Sequence, residues 1–256
     1  MSEQITKYRR DISKLFSEEV SILNNAREIT NVSAELRLLA INGLLQASKV
    51  GSARGQSLIT LSGFLSDLPK NITPELDILE KISIQLTREL TETLLLLIRV
   101  LFYTDTLVNY IDQLLENKTT SFRGDDFNLL KIKELKKLQS NELFADNSKT
   151  SQMNLKYITQ NNINKINQIH NKLISSRNLL DKVGEKIDDI KRNGFIANYM
   201  GTNILIEASY LNEYQDNFNS LVDNILNIIN NLNRFLEIIN NSIINAKNII
   251  QNLNLE

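Results

Sequence analysis

Residues 40–51, AINGLLQASKVG, return 161 positions further on as residues 201–212, GTNILIEASYLN. Asn42, Leu44, Ala47 and Ser48 recur as Asn203, Leu205, Ala208 and Ser209, while Leu45 becomes Ile206 and Gln46 becomes Glu207. The chain reads as one unit written twice. In each copy a long helical pattern leads up to the segment, a few turn-prone residues follow, and a second helical pattern leads away. Each copy is therefore expected to be a helical hairpin with the repeated segment just before its tip.

The apolar spacing supplies the arms. From about Glu3 to Lys49, Ile5, Tyr8, Ile12, Leu15, Ile22, Ala26, Ile29, Leu36, Ala40, Gly43 and Ala47 fall mostly three or four apart, which puts them on one helical face. The shift to small side chains at Ala40, Gly43 and Ala47 would let helices approach closely near the tip, although an ordinary seam explains the spacing equally well. Gly51, Ser52, Ala53, Arg54 and Gly55 supply the first tip, with glycine suited to a left-handed C-cap. Leu58, Leu61, Leu65 and Leu68 resume the seam. Pro69 and Pro74 then bracket PKNITP, so a helix is expected to stop near Leu68 and a new one to start with Thr73 as N-cap and Pro74 at its first position. That helix should run through Leu79, Leu86, Leu90, Leu97, Leu101, Val108 and Ile111 to about Asn117.

Residues 1–117 thus form a first hairpin, and 118–151 read as a connector with one amphipathic helix over FNLLKIKELKKLQSNELF, whose lysines at 131, 133, 136 and 137 make a solvated flank. Residues 152–256 form a second hairpin. Ile163, Ile166, Leu173, Leu180, Val183, Ile187 and Ile190 mark its first arm, which enters the tip through Phe195, Gly201 and Ala208; Asn212 stands where the first copy has Gly51. Phe218, Leu221, Ile225, Ile228, Leu232, Phe235, Ile239, Ala246, Ile249 and Leu253 mark the last arm, interrupted only at Ser242. An isolated pair of such arms would leave its apolar stripes wet, and two hairpins laid side by side bury them.

Composition removes several classes of function. With 256 residues and no cysteine there is length for a substantial core but no disulfide framework or thiolate metal site. A net charge of −1 with mixed signs leaves no basic footprint for nucleic acid. The N-terminus lacks the pattern of a secretory signal. The most apolar run, Leu94–Phe102, holds Arg99 and is far shorter than the roughly 18 to 20 apolar residues a bilayer span needs, so a cytoplasmic protein without a membrane span is expected. His170 is the single histidine, with Asn167 three residues before it and Leu173 and Ile174 three and four after, which fits neither a zinc cluster, nor a di-iron bundle, nor a phosphotransfer histidine. No phosphate-binding loop or nucleophile elbow occurs, and Asp125 with Asp126, or Asp188 with Asp189, read as a helix start and a solvated face. No catalytic, cofactor-binding or metal-binding residue is assigned, and the chain is not expected to be an enzyme.

The second copy, ANYMGTNILIEASYLNEYQDNFNSLVDNI (Ala197–Ile225), resembles without a gap the hairpin tip of the cytoplasmic signalling domain of bacterial chemoreceptors, the methyl-accepting chemotaxis proteins. Asn198, Asn203, Glu207, Ala208, Glu213 and Phe218 match that family's pattern outright. The first copy, residues 36–68, matches with one extra residue near Arg54, through Leu39, Ala40, Asn42, Ala47 and Gly51. The resemblance implies an all-α protein: an elongated antiparallel four-helix bundle, or coiled coil, made of two long hairpins. Chemoreceptors reach that state by homodimerising, so two copies in one chain imply a fused pseudo-dimer; pairing of each hairpin with another chain is the competing arrangement.

The resemblance also implies a function, namely signal transduction in chemotaxis through protein contacts at the tip. In the family the tip meets a histidine kinase and a coupling protein and joins receptor dimers into trimers, which makes these proteins, other receptors and further self-association the implied partners. Carried over by position, the partner-binding residues are Asn42, Gln46 and Lys49 in the first copy and Phe195, Asn203, Glu207, Tyr210 and Glu213 in the second. The tip departs from the family where Gln46 replaces a glutamate, Lys49 and Tyr210 replace an arginine, Asn212 replaces a glycine, and Asp216 lies in the Gly-Arg-Gly exit. A structural coiled-coil scaffold that keeps the fold without the kinase interface is the alternative. Glu18 and Glu19 lack the small flanking residues of the family's methylated pairs and read as exposed helix charges.

Overall fold

A computed structural model describes residues 2–50, 53–115, 132–139, 149–210 and 215–253. Among these residues there are five helices and no strand: α1 (Ser2–Val50), α2 (Ala53–Leu115), α3 (Ile132–Gln139), α4 (Lys149–Ala208) and α5 (Gln215–Asn252). The all-α expectation is met, and the long helices pack against one another through the three-four stripes. Ile12, Leu15, Ile22, Ile29 and Leu36 on α1, and Leu65, Leu79, Leu86 and Leu97 on α2, are almost wholly buried. Ile166, Leu180, Val183, Ile187 and Ile190 on α4, and Phe218, Ile225, Leu232 and Ile239 on α5, are buried with them. Burial of one stripe per helix is the main source of helix stability in chains like this, since isolated helices are marginal in water.

The chain divides into two compact units, each drawing on all four long helices. The first comprises Met1–Ser17, Leu86–Asn178 and Ala246–Glu256. Within it, Asn162 on α4 donates to Thr104 Oγ1 on α2 at 3.4 Å, and the Tyr110 hydroxyl reaches the Ser151 carbonyl at 3.3 Å. α3 is amphipathic: Leu135 and Leu138 are fully buried, and Gln139 donates to the Lys156 carbonyl of α4.

The second unit comprises Glu18–Gln85 and Leu179–Asn245. Here α1 meets α5 through Asn245 with Glu18, Ser242 with Ser21, and Leu221 with Gly43, so numbers rise along one helix as they fall along the other. Gly43 shows why small residues are needed there. A Cβ added to it would lie 3.0 Å from both Leu221 Cδ2 and Ser62 Oγ, so close that these side chains would have to shift by a few tenths of an ångström. Ala40 and Ala47 are buried on the same stripe.

Several expectations are corrected. The helix does not stop near Leu68: α2 passes through both Pro69 and Pro74. Proline's fixed φ is compatible with a helix, so each ring costs one backbone bond and some crowding, and the seam of Leu65, Leu68, Ile72, Leu76 and Leu79 holds the helix together. Thr73 is accordingly no N-cap; its hydroxyl donates to the Pro69 carbonyl at 2.7 Å. The loop expected over residues 51–55 does not reach Gly55, because α2 already begins at Ala53. Gly55 lies inside that helix, and its need is space: a Cβ there would be 3.2 Å from the Ala47 carbonyl oxygen. Gly51, Asn212 and residues 118–131 and 140–148 of the connector lie outside the described residues, while residues 149–151 belong to α4 rather than to a connector.

Glu19 is not exposed but buried, 1% accessible, because it falls on the same face as Leu15 and Ile22. Ser242 does not break the α5 seam; it is buried and donates to Ser21 Oγ at 3.1 Å. At the register of Phe235 it is Leu236 that is fully buried, one residue along the same turn. Asp189 is not simply solvated, since it pairs with both Lys186 and Arg192.

The stretch Gly55–Gln113 of α2 is long and apolar enough to cross a membrane by length and composition, a test that core helices also pass. The reason is that residues 94–102 are apolar on two faces. Leu97, Val100 and Leu101 are buried, whereas Leu95, Ile98 and Phe102 are exposed.

Candidate protein-interaction face at the repeated segments

Three of the family-derived positions lie on α1. Asn42 and Lys49 are exposed, Lys49 in the last turn, and Gln46 between them is half-buried. Gln46 Oε1 is buried with no hydrogen-bond partner among the described residues, so this amide carries an unsatisfied acceptor. On α4, Asn203 and Glu207 are one turn apart and half-buried. The structure brings them together with Gln56, Ser57, Thr60 and Leu61 of α2, and with Ile206, around an open groove. Phe195 lines a different groove with Lys191, Arg192, Asn198 and Asn233, and is 75% exposed rather than part of the seam. Tyr210 is exposed just beyond the end of α4, where its amide still donates to the Glu207 carbonyl. Glu213 lies outside the described residues.

This face holds a carboxylate, two amides and hydroxyls around an apolar floor, and among the described residues no group of three His, Cys, Asp or Glu side chains could hold a metal. His170 lies elsewhere on α4, half-buried.

Four further exposed residues on these helices were missed by the family comparison. Leu38 and Leu45 on α1 are 64% and 58% exposed, and Tyr199 and Ile206, their counterparts 161 positions on, are 60% and 52% exposed. Both copies thus turn a large apolar side chain to solvent at the same two register positions. Their signal in the sequence is that they fall off the buried three-four stripe yet remain apolar, a combination a solvated helix face does not need.

The strongest electrostatic groupings lie away from this face. In the first unit Lys172 Nζ is 2.5 Å from Glu92 Oε2 and 3.0 Å from Glu89 Oε2, joining α4 to α2. The hydrogen bond from Lys172, reinforced by one from Arg88, holds the Glu92 carboxyl below its usual range, and the bonds to Glu92 and Glu89 hold the Lys172 ammonium above its own. In the second unit Lys186 bridges Glu75 at 2.8 Å and Asp189 at 3.3 Å, which raises its pKa in the same way. Lys172 and Lys186 thus each tie α4 to α2.

In comparisons with known proteins, no family model, no curated protein and no solved structure matches the chain.

Proposed function

We propose that the chain is a cytoplasmic, non-enzymatic signalling protein that works through protein contacts at its repeated segments, with a chemotaxis histidine kinase and its coupling protein as partners. In this reading α1 with α2 and α4 with α5 are two hairpins, and in each unit they form an antiparallel four-helix bundle. One chain then does what a receptor does as a dimer. Contacts such as Gly43 with Ser62, Lys186 with Glu75 and Ser242 with Ser21 support it, since each joins helices of opposite direction under that arrangement.

The observation that carries the proposal is the matched exposure of Leu38 with Tyr199 and of Leu45 with Ile206. Packing accounts for repeated buried positions in any bundle. It does not account for apolar residues kept in water at the same places in both copies, which contact with another protein explains. The direct test is retention of a chemotaxis kinase and coupling protein on the immobilised full chain, compared with Asn203→Ala, Glu207→Ala and Ile206→Asp. Retention by the native chain that falls at least tenfold in the variants is expected. Retention indifferent to all three substitutions overturns the proposed face.

The second reading, a structural coiled-coil scaffold, is favoured by one set of observations: Gln46 and Tyr210 replace charged residues of the chemoreceptor pattern, and lost charges can exclude a partner that pairs with them. It predicts that the native chain retains neither partner while keeping its full helix content.

A further inference from the structure

Within the first unit, α2 has an outward face that nothing among the described residues covers. Arg88, Thr91, Leu95, Ile98, Phe102 and Asp105 follow one another at spacings of three and four, and all six are exposed. That is a heptad seam turned to solvent, on the opposite side from the buried seam of Leu86, Leu90, Leu97 and Leu107. Phe102 is 70% exposed, and Leu95 and Ile98 about half. A helix apolar on both sides is ordinarily covered on both sides.

The charges say what covers it. The seam is apolar in the middle, cationic at one end and anionic at the other. A parallel copy would set Arg88 against Arg88 and Asp105 against Asp105. An antiparallel copy aligned on its apolar centre sets Leu95 against Ile98 and Thr91 against Phe102, each twice, and brings each Arg88 to the other chain's Asp105. The same register places Arg99 beside the other chain's Glu92 on the flank of the seam. The two end charges of the face thus meet their opposites across the seam, Arg88 in addition to its bond to Glu92 of its own chain, which fits a second copy as the occupant.

We infer that this face of α2 is a homodimer seam, formed by antiparallel pairing of residues 88–105 with the same residues of a second copy. It is separate from the repeated segments and independent of the kinase proposal. An interface built on one helix per chain is small, so the dimer forms and dissociates with concentration.

Sedimentation velocity of the full chain across a hundredfold concentration range is the test. The native chain is expected to pass from monomer to dimer. Arg88→Glu alone and Asp105→Arg alone each place like charges together twice and should weaken the dimer by about tenfold. Mixing the two variants in equal amounts should restore a dimer containing one chain of each, because every reversed charge then meets a reversed partner. Far-UV circular dichroism of each variant confirms that helix content is intact. A native chain that stays monomeric throughout overturns the inference, as does a dimer indifferent to both reversals or one that mixing fails to restore. Flotation of a monomeric native chain with phosphatidylcholine vesicles, abolished by Leu95→Asp, overturns it in favour of a lipid surface.

Discussion

Replacing Pro74 by alanine should make the protein more stable, and the size of the gain follows from where the ring lies. Pro74 is exposed in the interior of α2, so it contributes little to the core while removing the amide that the Lys70 carbonyl would otherwise accept. Proline is about 3 kcal/mol less favourable than alanine in a helix interior. Against that stands the loss of its contacts in the groove it lines with Thr30, Ser33, Ala34 and Pro69, about 0.5 kcal/mol for a ring already largely in water. The net gain should be about 2 to 3 kcal/mol. For a chain of this length each kcal/mol moves the melting temperature by roughly 2–4 °C, so a rise of about 5–10 °C is expected. Thermal and urea unfolding followed by circular dichroism at 222 nm measure it, and slower amide exchange around residues 70–78 should accompany it. Pro69→Ala should gain less, since Pro69 is buried beside Leu68 and Ile72 and its removal leaves a gap. If Pro74→Ala is neutral or destabilising with helix content unchanged, the ring is shaping the packing of α2, and the account of a helix held through its prolines by the seam alone is wrong.

Other outcomes follow from the same contacts. Gly201→Ala should raise the urea midpoint by an amount equivalent to about 1 kcal/mol, because its Cβ would meet Val222, Ile225 and Leu226 at 3.7–3.8 Å, ordinary contact distances, and the first copy already carries Ala40 there. Gly43→Ala, facing Leu221 and Ser62 at 3.0 Å, should fall below Gly201→Ala in the same measurement. Phe218→Ala should cost about 3–5 kcal/mol in denaturant unfolding, since the ring is wholly buried. Lys172→Met should flatten the pH dependence of the urea midpoint at both ends. The raised pKa of Lys172 makes its contribution full below the unfolded lysine value of about 10.4 and lost as pH rises through the folded one. The lowered pKa of Glu92 makes its contribution full above about 4.3 and lost as pH falls through the folded value. A native profile as flat as the variant's between pH 3 and 11 would show that the Lys172 cluster adds nothing to stability.

The primary structure alone determined that this protein is helical and which stripe of each helix is buried. One-sided burial writes a three-four spacing into any amphipathic helix, and residues such as Ile22, Leu79, Val183 and Leu232 lie in the core where that spacing puts them. It also announced the repeated segments, because two copies of twelve residues need no coordinates to compare. What spacing could not decide was how neighbouring helices satisfy a residue that looks wrong locally. The prolines of α2 read as a break because propensity is local, whereas the packing that holds the helix through them comes from distant residues. Glu19 read as a surface charge because it is a carboxylate, although the spacing it shares with Leu15 and Ile22 already put it on the buried face. Between Leu94 and Phe102 both faces are apolar, so periodicity picks out the seam of Leu97 and Leu101 but does not say what becomes of the second face. Contact between helices left Leu95, Ile98 and Phe102 uncovered although the spacing had already put Leu97 and Leu101 on the buried seam, and likewise brought Asn203 and Glu207 of α4 beside Gln56 and Thr60 of α2, residues some 150 positions away that no local pattern could join.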